Sequence, residues 1–128
     1  MNPSEWIDAY TRAWHEEDAE AAGRIFTDDA VYCWHPLRPP AVGRDGVEEY
    51  WRTVTATQEG QRVRFGSPIT SGDLTAVEFW TTMRNDGEEV TLAGCMLLRF
   101  VPDGRCAELR EYWFFEPGTH EPAPGWGR

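Results

Sequence analysis

The segment LLRFVPDGRCAELREYW, residues 97–113, decides the fold of this chain. Two runs rich in apolar and β-forming residues flank Pro102-Asp103-Gly104, which is typical of a tight turn. The segment therefore predicts a β-hairpin. Because side chains alternate along a strand, Leu109, Glu111 and Trp113 share one face of the second strand. Two of these three are apolar, so we assign this face to the interior.

Ahead of the hairpin, the sequence predicts further strands. Residues 61–65 and 75–84 are strand-like, the first hairpin strand extends back to Glu89, and turn residues at 71–73 and 85–87 separate these segments. Consecutive strands joined by such turns form an antiparallel meander. A shorter strand, residues 30–35, ends at Pro36 because proline cannot donate a backbone hydrogen bond.

The first half of the chain carries helix signals. Asn2, Pro3 and Glu5 provide an N-cap, a first-turn proline and a capping-box glutamate. The residues that follow on one helical stripe are Trp6, Tyr10, Ala13 and Trp14. This pattern predicts a first helix with a buried aromatic face.

Two more helices are predicted before the meander. Asp18 caps a short helix over residues 19–26, and Asp45 with Glu48 forms a capping pair for the third. The buried stripe of that third helix is Val47, Tyr50, Trp51 and Val54. Helices followed by a meander predict the α+β class, in which a curved mixed or antiparallel β-sheet wraps around three N-terminal helices and forms a cone with an internal pocket.

Length and composition predict a single domain over residues 1–128. Residues 117–128 contain three prolines and three glycines, so we expect a flexible C-terminal tail unless Trp126 docks it.

Charge and cysteine content exclude several functions. The net charge is -10 and all 12 cationic side chains are arginine. Such an acidic surface repels phosphate backbones and anionic lipids, so we expect neither a nucleic-acid nor a membrane partner. Without lysine, neither a Schiff base nor a P-loop lysine is available. Cys33, Cys95 and Cys106 are odd in number and widely spaced, which predicts reduced thiols in a cytoplasmic protein.

Four segments of the sequence resemble a known family. They are WIDAYTRAWHEED at 6–18, FTDDAVYCWHP at 26–36, GRDGVEEYW at 43–51 and the hairpin at 97–113. Across about residues 5–116 the chain resembles the nuclear-transport-factor-2-like superfamily, in its SnoaL-like branch. The resemblance implies the cone-shaped α+β fold shared with ketosteroid isomerase and polyketide cyclases. It does not select a reaction, because the superfamily includes isomerases, cyclases, dehydratases, epoxide hydrolases and non-enzymatic binders.

The resemblance also implies roles for single residues. Tyr10 matches the tyrosine that donates to the oxyanion in steroid isomerases, and His35 lies one residue from the position of their general base. Met96 stands where those enzymes have a second acid, which argues against their familiar mechanism and against the Asp-Arg-Asp set of epoxide hydrolases. Glu111 is similar to the acidic residue that SnoaL-like cyclases use inside the cone.

From the residues alone, Glu111 has two interpretations. A carboxyl group held between apolar neighbours has a raised pKa and suits acid–base catalysis near neutral pH. Alternatively, Glu111 pairs with Arg99 or Arg110, or faces solvent.

His35 also has two interpretations. It is either a second proton shuttle or a loop histidine that is hydrogen-bonded to backbone near Pro36. If Tyr32 and Trp34 point inward, strand alternation turns His35 outward unless a bulge intervenes.

We expect large side chains to line the pocket. Those assigned to substrate binding are Trp14, Tyr32, Trp34, Trp51, Phe79, Met96 and Trp113. Taken singly, each of the aromatic ones fits the core better, but together they suit a flat, apolar, aromatic or polyketide-like small molecule. No cofactor or metal is expected, because the three histidines lie in unrelated segments without ligand spacing. The outer sheet face, with an exposed Trp80, is expected to form a homodimer.

We consider three functions. The first is a cofactor-free enzyme that transfers protons, by isomerisation, cyclisation or dehydration, on an apolar cyclic substrate. Tyr10 would be its oxyanion donor, and Glu111 or His35 its proton shuttle. The second is a non-catalytic ligand-binding or protein-interaction domain. The third is a cone filled by its own side chains, which binds nothing inside.

Overall fold

The computed structural model describes residues 1–128 as three helices and seven strands. In chain order the elements are α1 Pro3–Glu16, α2 Ala19–Arg24, β1 Phe26–Cys33, β2 Ala41–Val42, α3 Gly43–Thr55, β3 Gln58–Phe65, β4 Ile69–Ser71, β5 Leu74–Asn85, β6 Glu88–Phe100 and β7 Cys106–Pro117. None of the helices combines the length and the apolar character that crossing a bilayer requires. The short strands β2 and β4 are additions to the predicted set.

Helix α1 begins where its capping signals place it. The Asn2 side chain accepts a hydrogen bond from the Glu5 N–H at 2.9 Å, and the Glu5 side chain accepts one from the Asn2 N–H at 3.1 Å. This reciprocal pair satisfies two amides that the helix leaves without partners. The predicted aromatic stripe is buried, and the Trp6 indole N–H donates to the Ile25 carbonyl at 2.7 Å. The helix is thereby fixed to the chain segment that leads into β1.

Helix α2 is shorter than predicted. Its N-cap is Asp18, as expected, and the Asp18 carboxylate accepts from the Ala21 N–H at 3.0 Å. The helix ends at Arg24, however, and Phe26 is the first residue of β1. Phe26, which extends the helical pattern of the sequence, is therefore buried as part of a strand and not of the helix.

Helix α3 begins two residues before the predicted cap. It starts at Gly43, and no side chain caps it. Gly43 has φ 76°, a left-handed conformation that glycine adopts without strain at the turn from β2 into the helix. The predicted capping pair of Asp45 and Glu48 does not form, because Glu48 instead contacts Arg44 and Arg52, each at 3.3 Å.

All seven strands belong to one mixed sheet with the order β2-β1-β7-β6-β5-β3, and β4 pairs with β5. The neighbours β3, β5, β6 and β7 are antiparallel, which confirms the predicted meander. On the other side of β7, β1 runs parallel to it, with Tyr32 opposite Leu109. Strand β1 begins at Phe26 and ends at Cys33, so His35, predicted within a strand, lies in the loop beyond it.

The three helices pack on the concave face of the sheet and form a continuous core with it. The largest fully buried side chains include Trp6, Tyr10, Phe26, Phe79, Met96, Leu98 and Leu109. Trp6 packs edge-on against Phe26 and Phe100, with ring centroids 5.5 and 5.6 Å apart. Much of the cone is therefore filled, and open space remains only farther along the concave face.

The C-terminal tail lies along the outer face of the sheet. Trp126 packs edge-on against Trp80, with ring centroids 6.0 Å apart. The Trp80 indole N–H donates to the His120 carbonyl at 2.8 Å, and the Ser67 N–H donates to the Gly127 carbonyl at 2.7 Å. A flexible tail was expected over residues 117–128 unless Trp126 docked it. In the structure Trp126 does dock the tail. As a result Trp80 is partly covered rather than exposed.

Replacing Trp126 with alanine is expected to release the tail while the domain stays folded, because one aromatic pair contributes on the order of 1 kcal/mol. In hydrogen exchange, the Ser67 amide is expected to exchange faster in the variant. The Cys106 amide, which donates to the Ile25 carbonyl in the interior, is expected to keep its rate. An unchanged Ser67 rate would mean that Trp126 does not hold the tail.

Candidate active site

Glu111 is the only charged side chain among the buried residues, with 8% of its surface exposed. It lies on β7 opposite Met96 of β6, and the alternation of β7 puts Leu109 and Trp113 on the same face. The carboxyl group therefore points to the concave side of the sheet, beneath α1.

Two tyrosines hold Glu111 from two other elements. Tyr32 of β1 donates to Oε1 at 2.9 Å, and Tyr10 of α1 donates to the same oxygen at 3.3 Å. The two hydroxyl oxygens are also within hydrogen-bonding distance of each other, at 2.8 Å, so each phenol hydrogen has more than one possible acceptor. No hydrogen bond within the protein reaches the second carboxyl oxygen, Oε2. We call Tyr10, Tyr32 and Glu111 the Glu111 cluster.

No cation of the protein compensates the charge of Glu111. Arg99 pairs with Asp73 and Arg110 pairs with Glu108, each at 2.8 Å. None of the other ion pairs includes Glu111 either. Glu111 therefore neither pairs with an arginine nor faces solvent, and both alternatives to a buried, uncompensated carboxyl group are wrong.

Burial changes the proton affinities of the Glu111 cluster. It raises the pKa of Glu111 to about 7, because the charged form loses its hydration, and the hydrogen bonds from Tyr32 and Tyr10 only partly oppose this. The pKa values of Tyr10 and Tyr32 lie well above the ordinary value, first because of burial and then because of the negative charge on Glu111. Near neutral pH the phenols therefore remain donors, while Glu111 changes its protonation state.

A cavity of about 50 Å³ adjoins the cluster. Its lining residues are Tyr10, Trp14, Tyr32, Tyr50, Trp51, Val54, Thr55, Gln58, Leu92 and Glu111. Because one water molecule needs roughly 10–15 Å³ of such volume, the cavity holds about four waters or a ligand of similar size. A fused ring system is larger than this volume and would have to extend from the cavity toward solvent.

Neutral polar groups and partly exposed side chains complete the cavity. The Trp14 indole N–H donates to Gln58 Oε1 at 2.8 Å, which fixes both side chains in the wall. Tyr50, Val54 and Leu92 are only partly buried, so the cavity meets solvent on their side. No group of three or more His, Cys, Asp or Glu side chains is arranged to hold a metal ion.

The structure brings some of the predicted site residues together. Tyr10 and Glu111 meet, and Trp14, Tyr32 and Trp51 line the same cavity. The side chains of Phe79 and Met96 are instead fully buried in the core and do not line it.

His35 lies outside the cavity. Its Nδ1 accepts a hydrogen bond from the Leu37 N–H at 3.0 Å, and its ring packs edge-on against Trp113 at 5.5 Å. Trp113 donates its indole N–H to the Trp34 carbonyl at 2.7 Å, and Trp34 stacks on Tyr50 at 5.3 Å. Trp34 and Trp113 thus support the cavity wall from behind, and the structure does not bring His35 to Glu111.

Five lining residues were not among the predicted site residues: Tyr50, Val54, Thr55, Gln58 and Leu92. Tyr50 and Val54 belong to the predicted stripe of α3 and could have been assigned with Trp51. Gln58 lies before the predicted start of its strand at residue 61, and its burial depends on contact with α1. No local signal identifies it.

Most of the chain matches a known domain family. A family profile described as a SnoaL-like domain matches residues 7–109. The chain belongs to the SnoaL-like domain family. No curated protein matches the sequence significantly.

Solved structures share the fold of this SnoaL-like domain at low sequence identity. SalBIII, an epoxide hydrolase/cyclase-like enzyme in pyran ring formation in the polyether salinomycin, superposes with a TM-score of 0.79 at 19% identity over 90% of this chain and 95% of its own. A hypothetical protein from Catenulispora acidiphila with a ketosteroid isomerase-like fold, in complex with trimethylamine, gives 0.73 at 22% identity over 88% and 86%. An LEH-like epoxide hydrolase from M. tuberculosis gives 0.71 at 20% identity over 86% and 80%. The predicted nuclear-transport-factor-2-like fold is confirmed.

Replacing Glu111 with glutamine is expected to change how the stability of the SnoaL-like domain depends on pH. Folding raises the pKa of Glu111 from 4.5 to about 7. The folded state therefore binds this proton more tightly than the unfolded chain does. The resulting contribution to stability is fully present below about pH 4.5 and is lost as the pH rises through about 7. The glutamine amide does not titrate, so the stability of the variant does not decrease in this way as the pH rises.

The measurement is the free energy of unfolding in urea at a series of pH values. From about pH 5 to about pH 8, the value for Glu111→Gln minus that for wild type is expected to rise by on the order of 3 kcal/mol. Glu116→Gln, which removes a charge from an exposed part of β7, is the matched control and is expected to show no such rise. Parallel profiles for Glu111→Gln and wild type would contradict the raised pKa.

Proposed function

We propose that this SnoaL-like domain binds a small molecule beside the Glu111 cluster and transfers a proton to or from it without a cofactor. One observation carries the proposal: a buried carboxyl group with no cationic partner lines a cavity, and its second oxygen has no partner in the protein. Isomerisation, cyclisation and dehydration share the step that this group would perform.

Glu111 suits both directions of proton transfer. A general acid–base group works best when its pKa lies near the pH of operation. With a pKa of about 7, Glu111 has substantial populations of the carboxylate, which removes a proton, and of the acid, which returns it. A solvated glutamate would be almost entirely ionised at the same pH.

The two tyrosines of the cluster have different positions in its hydrogen-bond network. The oxygens of Tyr10, Tyr32 and Glu111 form three close contacts, but only the two phenols have a hydrogen to donate while Glu111 is ionised. At most two of the three contacts are therefore hydrogen bonds at any time. The shortest are Tyr10 to Tyr32 at 2.8 Å and Tyr32 to Glu111 at 2.9 Å. Tyr32 thus stays on the carboxylate, and Tyr10 can turn its hydrogen to an oxygen of the bound molecule. In that position Tyr10 would stabilise a developing oxyanion.

The volume of the cavity suits a substrate, or an enclosed part of one, with only a few non-hydrogen atoms. Trimethylamine, the ligand in one structural neighbour, is of that size. A five-membered cyclic ketone is near the upper limit. The apolar cyclic substrate expected from the sequence is therefore proposed only in this small form.

A non-catalytic ligand-binding domain is the second candidate function. The observation that favours it is the position of His35 outside the cavity, which leaves Glu111 as the only carboxyl or imidazole group at the site. A binding domain needs the aromatic walls but no proton transfer, so the two functions differ in a measurable reaction.

Proton transfer in the cavity predicts exchange of carbon-bound hydrogen. Acetone and cyclopentanone carry hydrogens next to a carbonyl group, and their removal gives an enolate. In D₂O, wild-type protein is expected to accelerate deuterium incorporation, followed by proton NMR. The rate should rise with pH up to about 7, as Glu111 ionises, and then level off.

Glu111→Gln is expected to lower the protein-dependent exchange rate by at least about 100-fold. Tyr10→Phe should lower it by about 10- to 100-fold through the lost oxyanion donor. Glu116→Gln is the matched control and should keep the wild-type rate. If Glu111→Gln and wild type give the same rate at every pH, the catalytic role is excluded and the binding function is retained.

We also propose a homodimer through the outer face of β6 and β7. Phe114 is 81% exposed and Tyr112 48% exposed on that face. The tail partly covers Trp80 on β5, so the interface expected around Trp80 is displaced toward β7. Burying two adjacent aromatic side chains favours association.

Phe114→Glu is expected to weaken this dimer, because each interface would then contain two buried carboxylates related by symmetry. Sedimentation equilibrium is the measurement, with wild type expected as a dimer and the variant as a monomer. A monomeric wild type would exclude the interface.

A cytoplasmic location is proposed as well. Cys33, Cys95 and Cys106 are free thiols, and Cys33 and Cys95 are partly exposed. Such thiols persist in a reducing compartment.

A further inference from the structure

The cavity walls combine aromatic rings with a single ionisable carboxyl group. Five of the ten lining residues are aromatic: Tyr10, Trp14, Tyr32, Tyr50 and Trp51. The faces of such rings carry negative partial charge and attract cations. The ring of Tyr10 is nearly perpendicular to those of Trp14 and Trp51, at 86° and 87°, so the aromatic surfaces are turned in more than one direction.

Glu111 has no positive group in its surroundings. The groups that face it are Tyr10 from α1, Tyr32 from β1 and Tyr50 from α3, and Met96 lies opposite it on β6. All four are neutral near pH 7, and none of the lining residues is an arginine or a histidine. A buried carboxylate without a counter-ion is costly, and a bound cation would relieve that cost.

We propose that the ligand of this cavity carries a small methylated ammonium group, held between the aromatic walls with ionised Glu111 as its counter-ion. This inference rests on the proposed function for the site and adds the chemical class of the ligand. An ammonium group beside Glu111 also favours the carboxylate, which is the form that removes a proton.

Size and surface chemistry agree with a methylated ammonium group. Tetramethylammonium has five non-hydrogen atoms, close to the volume of about four waters that the cavity provides. Its methyl groups require apolar contact, and Val54 and Leu92 offer it next to the rings. The net charge of -10 also favours the approach of cations over anions.

Isothermal titration calorimetry with tetramethylammonium chloride tests the inference, with tert-butanol as a neutral probe of similar size and shape. At about pH 8, wild-type protein is expected to bind tetramethylammonium at least about 10-fold more tightly than tert-butanol. Potassium chloride, which has the charge without the methyl groups, is expected to bind at least about 10-fold more weakly than tetramethylammonium.

The pH dependence is a second readout on wild type alone. Tetramethylammonium does not titrate, so any change in its affinity with pH comes from the protein. Below about pH 7 the affinity should fall by up to about 10-fold per pH unit as Glu111 takes up a proton. This profile requires no variant, so the test does not depend on the folding of a mutant.

Glu111→Gln is expected to reduce the tetramethylammonium affinity to that of tert-butanol, and Glu116→Gln to leave it unchanged. Equal affinities of wild type for the two probes, or a tetramethylammonium affinity that does not change with pH, would overturn the inference. Deuterium exchange into acetone that depends on Glu111 would in that case still support the proposed function. Cation binding without any such exchange would support the ligand class and exclude the catalytic role.

Discussion

The parallel pairing of β1 with β7 is the constraint on which the rest of the structure depends. It places Phe26 opposite Cys106 and Tyr32 opposite Leu109, two residues before Glu111. Parallel neighbours cannot be joined by a tight turn, and here residues 34–105, which include α3 and the other five strands, form the connection between them. The first and last strands thereby hold each other in register. Without this contact, Tyr32 would not cover Glu111, and the carboxyl group would be more hydrated.

Burial of Glu111 brings a cost in stability together with chemical capability. Removing an ionised carboxylate from water is unfavourable, and hydrogen bonds from two neutral phenols compensate only part of that loss. An arginine in the cavity would have stabilised the charge but would have kept the proton affinity of the carboxyl group low. The structure instead retains a group that is sensitive to pH near neutrality. Such unfavourable arrangements are common where activity requires them.

Much of the fold could be predicted because its signals are local. The capping box of α1 and the turns of the meander depend on residues within a few positions of each other. The inward direction of Glu111 follows from alternation along a single strand. Phe26 was assigned to the wrong element because an aromatic residue fits a helical stripe and a buried strand equally well. The pairing of β1 with β7, the docking of the tail and the burial of Gln58 depend on contacts between distant segments, for which the sequence has no local signal.

The position of two tryptophans has a practical consequence. Trp14 and Trp51 form part of the cavity wall, whereas Trp126 lies on the opposite side of the sheet. Indole emission shifts in wavelength and intensity with the polarity of its surroundings. Replacement of water by a bound molecule would change those surroundings for the two wall indoles and so shift the summed emission of the seven tryptophans. The protein therefore contains its own fluorescent reporter of occupancy, and library screening can proceed without a label.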